Sequence, residues 1–407
     1  MTISVKIKTT KGALAQRSDD LMPKHLNPMD SCTVATRLRS RFWTLLLVLS
    51  LLAGALTASA GATQPPAPDA AVLIVTSSQH GLPVPEGMIS GAVDALKSRG
   101  VSPGNIYVEH LDLRSFDDAK SASTALVQLL SVKYARKPIG AVLVQEQPAL
   151  DFLAQAGKGL LPEGLPLVAT LVTTPTLKWQ GTPHPVLNVS NRHDIAGTLR
   201  QGLALFPNAN RLVLVAGVGG VQATLPAQLT QVVREQRRKL EIEDTSHLPY
   251  EVMLQRIATL PDHSIILLAD YFQDVTKRPF VPVAVAAAVA KRANAPTLGL
   301  YDSHIQAGLT GGSVIVPYKV GQRAGEIGAD LLRGVKPPAE GDARLAVAPQ
   351  LMFDWAQLKR WGADPAQLPE GATVLHRPHT LWGDYRPFVV ASTATIALLL
   401  ALLLALA

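Results

Sequence analysis

The residues best suited to chemistry sit just after short apolar runs that read as strands. Ser77, Ser78, Gln79 and His80 follow AVLIVT (Ala71–Thr76), Gln145 and Glu146 follow IGAVLV (Ile139–Val144), and Thr173 follows LPLVATLV. Farther on, Gly217 and Gly219 end a run that begins RLVLV, Asp270 and Tyr271 follow SIILLA (264–269), and Tyr301, Asp302 and Ser303 follow PTLGL. Hydroxyl, amide and imidazole groups beside backbone N–H groups suit a polar or carboxylate-bearing solute. An aspartate facing a cleft can hold a ligand ammonium, and Tyr271 or Tyr301 can stack on its body.

Sharper motifs weaken on inspection. Gly217, Gly219 and Gly220 follow a strand and precede a helix, with Glu241 about 24 residues on, but Gln222 stands where a dinucleotide fingerprint needs its third glycine. No cofactor is therefore expected. Ser190, His193 and Asp194 have the composition of a triad but lie within five residues, which suits capping of a hinge helix by Ser190 or Asn191 better than nucleophilic catalysis. His376 and His379 flank Pro378 in a tether without further cysteine or acidic partners, so no metal set is expected. Glu241, Glu243 and Asp244 read as the solvated end of a strand rather than convergent acid and base. The expectation is a binding protein, not an enzyme.

The elements that position these residues alternate. Strand-like apolar runs and helical patterns such as PEGMISGAVDALKSRG follow one another from Ala71, pause at PHPVLNVSNRHDIAG, and restart at Arg211. Such alternation predicts an α/β fold with parallel sheets covered on both faces. Two successive units of about 100 residues predict two Rossmann-like lobes joined by a hinge, with ligands at the carboxyl ends of the strands. The expected organisation is a first lobe over 71–190, a second over 191–296, a return segment between lobes over 297–350, and a helix and juxtamembrane tether over 351–387. In the last of these, Asp354 caps a helix that Gly362 stops.

Both ends of the chain read as membrane-directed. Arg37, Arg39 and Arg41 precede the apolar stretch Trp43–Leu56, and Ala58-Ser59-Ala60 supplies a cleavage pattern, so residues 37–61 are a signal peptide or a signal anchor. Residues 1–36 are a leader, cytoplasmic or ahead of a true start at Met22 or Met29, and residues 62–70 are a Pro/Ala-rich linker. The 20 residues Phe388–Ala407 form an uncharged apolar run long enough for a transmembrane helix. Trp382, Tyr385 and Arg386 suit the membrane–water interface just before it. Of the net charge of +7, residues 1–41 carry +5 (eight Lys/Arg against three Asp/Glu), which leaves +2 for the rest and removes the case for nucleic acid as a partner. The single cysteine, Cys32, precedes the signal region, so the exported part forms no disulfide and must rely on its core.

Three stretches resemble the periplasmic binding protein type 1 superfamily, in particular the ABC-transporter-type solute-binding domains that also serve as ectodomains of bacterial sensor histidine kinases and related receptors. They are Lys133–Leu153, Arg278–Ile315 and Phe353–Pro387. Within the last, Leu368–Tyr385 is similar to the segment that leads sensor-type members into a membrane span. The resemblance implies a small-molecule ligand from among amino acids, nucleosides, sugars and aromatic solutes. It also implies a periplasmic ligand-binding domain anchored in the bacterial inner membrane. The resulting expectation is the N-terminal sensory part of a signal-transduction receptor lacking its output domain, with membrane lipid and a homodimer through the transmembrane helix as further partners. The alternative is the substrate-binding component of an ABC uptake transporter, with a permease as partner.

Overall fold

A computed structural model describes residues 70–406 except 117–118, 157–159, 162–163, 173–185, 190–191, 219–224, 236–238, 340–341 and 379–384. The leader, the signal segment and all but the last residue of the linker lie outside the described residues.

The first sheet contains β1 (Ala71–Thr76), β2 (Ile106–His110), β3 (Ile139–Gln145), β4 (Leu167–Thr170) and β5 (Val186–Val189), all parallel, in the order β2-β1-β3-β4-β5. Every residue of β1 is buried because helices cover both faces, which is why its sequence is continuously apolar rather than alternating. Leu73 and Val75 point into one apolar cluster with Leu130, Leu150 and Leu153, whereas Val72 and Ile74 point into another with Met88, Leu96 and Ile327. The covering helices are α1 (Pro83–Ser98), α2 (Ala119–Tyr134) and α3 (Gln147–Ala156).

The second sheet has seven strands, in the order β12-β11-β10-β9-β8-β6-β7. These are β6 (Arg211–Val215), β7 (Glu241–Asp244), β8 (Ser264–Leu268), β9 (Thr297–Gly299), β10 (Gly311–Val314), β11 (Gln350–Asp354) and β12 (Thr373–Leu375). Only the β10–β11 pair is antiparallel. Helices α4 (Ile195–Leu205), α5 (Leu225–Glu235), α6 (Tyr250–Ile257), α7 (Pro282–Arg292) and α8 (Asp302–Gln306) accompany it.

The stretch 297–350, expected as a return segment, is divided between the lobes. Its strands β9 and β10 extend the second sheet, whereas α9 (Pro317–Leu332) packs on α1 and on the first sheet. Glycines make that helix pair close. A Cβ on Gly91 would lie 1.9 Å from the Tyr318 carbonyl oxygen, and one on Gly321 would lie 1.9 Å from that of Met88. The two backbones therefore touch where any side chain would hold them apart.

The stretch 351–387, expected as a helix and tether, also supplies β11 and β12. Asp354 caps α10 (Trp355–Arg360) by accepting from the Gln357 N–H, and Gly362 follows the helix at φ +69°. Leu358 packs with Phe353 and Leu205, which fixes this segment to the second lobe. Beyond it runs α11 (Arg386–Leu406), the one helix among the described residues that is long and apolar enough to cross a membrane; none of its residues is buried.

Candidate functional site

Three hydroxyls after β1 converge on one carboxylate after β3. Glu146 Oε2 accepts from Ser77 Oγ at 2.5 Å, Ser78 Oγ at 2.8 Å and Thr76 Oγ1 at 3.3 Å. Strand pairing makes the convergence, since β1 and β3 are neighbours with Thr76 opposite Gln145. Glu146 adopts φ +71°, a left-handed conformation that is costly for a side chain with a Cβ and is held here by its N–H bonding the Thr170 carbonyl. Beside it, Gln145 is buried and its Oε1 receives no hydrogen bond from the described residues.

The second lobe contributes Asp270 and Tyr301 from the ends of β8 and β9. Burial pushes the Asp270 carboxyl up to about 7; the Tyr301 hydroxyl hydrogen-bonded to it opposes the shift, Glu146 reinforces it, and Arg114 opposes it. Two residues of the first lobe thus act electrostatically on a carboxyl of the second. Direct contact joins the lobes as well, because the Arg114 guanidinium lies 4.1 Å from the centroid of the Phe272 ring.

Behind Asp270 stands a buried relay. Tyr301 is buried between two imidazoles, its ring 5.2 Å from that of His193 and 5.5 Å from that of His304. Its hydroxyl lies 2.9 Å from His193 Nε2. Tyrosine has one proton to give, so a Tyr301 that donates to Asp270 must accept from a His193 protonated at Nε2. Burial lowers His193 to about 4 and His304 to about 3, the latter helped by His193, so both rings are neutral at neutral pH. Burial also raises Tyr301 well above its usual range, with Asp270 and Glu146 adding to the effect.

Other anticipated residues are placed differently. Tyr271 turns into the second-lobe core against Tyr250 and Phe280, because the side chain following the cleft-facing Asp270 projects to the opposite side. His80 is exposed and turns to Glu86, and Gln79 is exposed as well. Gly217 is needed for close approach: its Cβ would lie 2.8 Å from the Gln273 carbonyl oxygen, and its N–H bonds the Asp270 carbonyl. Asp302 opens α8, its carboxyl raised by burial and lowered in part by accepting the Ser303 N–H; Ser303 itself is buried. Thr173 and Gly219 lie outside the described residues. The hinge helix α4 is capped by Asp194, which accepts from the Gly197 N–H, in place of the expected Ser190 or Asn191, which lie outside the described residues.

Arg114 and His304 were not anticipated at all. Arg114 follows the run NIYVEHLDL, so the strand-end reasoning applied to the other loops would have found it. His304 had no such signal, since its part is set by the packing of α8 under Tyr301.

No family model matches the chain. No curated protein matches it either. Solved structures do share its architecture. A ligand-free, open substrate binding protein with adhesive properties from Clostridium difficile matches at TM-score 0.53 and 18% identity, covering 75% of this chain and 99% of that one. The ABC domain of a Streptococcus pneumonia protein in complex with L-Trp matches at TM-score 0.53 and 15% identity, covering 75% and 100%. A conserved domain protein from Vibrio cholerae matches at TM-score 0.52 and 19% identity, covering 75% and 99%. Together with the two largely parallel sheets, these similarities show that the chain has the two-lobed periplasmic binding protein type 1 fold found in substrate-binding proteins.

Proposed function

We propose that this chain is an extracytoplasmic module that binds a small solute bearing an ammonium group, and that α11 anchors it in the inner membrane as the sensory part of a signal-transduction receptor. The observation that carries this reading is a carboxyl at a strand end of each lobe, Glu146 and Asp270, with the Glu146 charge acting on Asp270. A cation between them would be satisfied on both sides, and its binding would favour the closed arrangement by that difference in affinity. Closure then reaches the membrane through the segment from β11 to β12, which is fixed to the second lobe and leads into α11.

Thermal unfolding of the full chain in nanodiscs tests the reading. A panel of L-amino acids, including L-tryptophan, is compared with the N-acetylated counterparts and with myo-inositol. At a concentration one hundred times Kd, a cognate amine adds about 2.7 kcal/mol and raises the midpoint, whereas its acetylated counterpart leaves it unmoved. Equal shifts from both, or a shift from neither, would overturn the ammonium assignment.

Service to an ABC uptake system is the second reading, favoured by the descriptions of two structural neighbours as a substrate binding protein and an ABC domain. Adjacent permease and ATPase genes would support it; an in-frame signalling domain after codon 407 would support the sensor.

A further inference from the structure

A second constellation lies at the rim of the first lobe, apart from the facing carboxyls. Ligand atoms of His80, Glu86 and His110 all fall within 4.8 Å of one another, drawn from the loop after β1, the first turn of α1 and the end of β2. His80 Nδ1 is 2.7 Å from Glu86 Oε1, and His110 Nε2 is 3.9 Å from the same oxygen. The imidazole rings stand edge to face, 5.2 Å apart.

The surroundings orient these donors outward. His110 Nδ1 lies 3.3 Å from the Ser78 carbonyl oxygen, which accepts its proton and leaves the lone pair on Nε2 facing Glu86. A carbonyl behind a histidine in this way fixes the tautomer and ring orientation that metal ligation needs. The Gly81 N–H bonds Glu86 Oε1 at 2.9 Å and holds the carboxylate in place. In that tautomer the Nε2 lone pair of His110 is directed to the side on which Glu86 Oε1 and His80 Nδ1 lie.

We infer that His80, Glu86 and His110 form a site for a divalent transition-metal ion, Zn2+ above all. Two imidazole nitrogens and one carboxylate oxygen are borderline donors that suit zinc and its neighbours in the first transition row and do not suit Mg2+ or Ca2+. Bonds of about 2.0–2.2 Å require the three donors to lie somewhat over 3 Å apart, which the exposed His80 reaches by a small rotation. Three protein ligands leave the fourth tetrahedral position to water. The ion ties together the loop, helix and strand that surround Ser78, and so stiffens the segment whose hydroxyls hold Glu146.

The test is calorimetric titration of Zn2+ into the full chain, purified without a histidine tag and held in a zwitterionic detergent, with Mg2+ as the control. One equivalent of Zn2+ binds at micromolar or tighter concentration, Mg2+ gives no heat, and Co2+ in the same position gives the visible ligand-field bands of a tetrahedral site. His80→Ala changes an exposed side chain and leaves the circular dichroism spectrum intact; it lowers Zn2+ affinity at least about tenfold. Glu86→Gln and His110→Ala do the same or more. Absence of saturable binding, or undiminished binding with unchanged stoichiometry in His80→Ala and Glu86→Gln, would overturn the assignment.

Discussion

The carboxyls at the strand ends of the two lobes are held by opposite means. Glu146 in the first lobe is surrounded by hydroxyl donors, with Ser77, Ser78 and Thr76 all directing O–H groups to it. Asp270 in the second lobe has one hydroxyl and a desolvated setting that lifts its carboxyl to about 7. Hydrogen bonds from donors favour the charged form, while burial favours the neutral one. The second lobe thus offers a carboxyl whose charge depends on pH near neutrality. A cationic solute meeting Asp270 must displace a proton from it below about 7.

The largest effect that tests this contrast is on affinity. Glu146→Gln removes the hydroxyl-held carboxyl and lowers affinity for an amine about 100-fold, the order expected for losing a charged hydrogen-bonded partner worth some 2–3 kcal/mol. Asp270→Asn costs a comparable amount at pH 8 and little at pH 6, where the carboxyl is already protonated. In the unmodified chain, affinity falls by up to tenfold for each pH unit below about 7, and the Asn variant abolishes that slope. Isothermal calorimetry at the two pH values reads both; parallel pH profiles for the two variants would break the distinction between the lobes.

Much of this arrangement was legible in the sequence, and the reason is local. Continuous apolar runs such as AVLIVT can be buried on both faces only in a covered parallel sheet, and strand ends in such a sheet are where side chains meet a ligand. That logic reaches Ser77, Ser78, Glu146, Asp270 and Tyr301 without coordinates. It does not say which way a loop residue turns, so it placed Tyr271 beside Asp270 when the loop sends it into the core. Nor does it register partners distant in the chain. His110 lies 24 residues beyond Glu86, and only the parallel pairing of β1 with β2 sets His110 beside the loop that follows Thr76. The short strands β10, β11 and β12 escaped for a related cause. β10 and β11 contain Gly311, Gly312, Gln350 and Asp354, which have little strand character, and β12 is only the three residues Thr373–Leu375, so each is recruited by the edge of an existing sheet.

Stability offers a smaller but sharper test, because the buried groups of the second lobe oppose one another in sign. His193 and His304 bind protons more weakly in the folded protein, at about 4 and about 3, so they withdraw stability as pH falls below about 6.5. Asp270 binds its proton more tightly when folded, so it returns stability as pH falls from about 7 toward 4, and Asp302 acts in the same sense. Between pH 7 and pH 5 the imidazoles withdraw up to about 2 kcal/mol each while Asp270 returns about 2–3 kcal/mol, so acid destabilisation of the unmodified chain is muted. Asp270→Asn unmasks it. Urea denaturation of the full chain should show a loss from pH 7 to pH 5 that is about 2 kcal/mol greater in the variant. A variant that loses no more than the parent would mean that Asp270 titrates as an ordinary surface carboxyl, and the contrast with Glu146 would disappear.

The smallest effect concerns the contact between the two lobes beside Asp270. Arg114 reaches from the loop after β2 to the face of Phe272 in the second lobe, and it also draws the Asp270 carboxyl toward its charged form. A cation over an aromatic ring at such a site is worth about 0.5–1 kcal/mol, so Arg114→Gln and Phe272→Leu should each weaken amine binding roughly twofold to fivefold. If the contact stabilises closure, the double variant is little worse than either single one, since the second substitution removes a partner already lost. Arg114→Gln differs from Phe272→Leu in one respect. It also raises the pH at which Asp270 ionises, because a cation that favours the carboxylate has gone. Additive losses in the double variant would show that Arg114 and Phe272 act on the solute separately, and the lobes would then owe their approach to the solute alone.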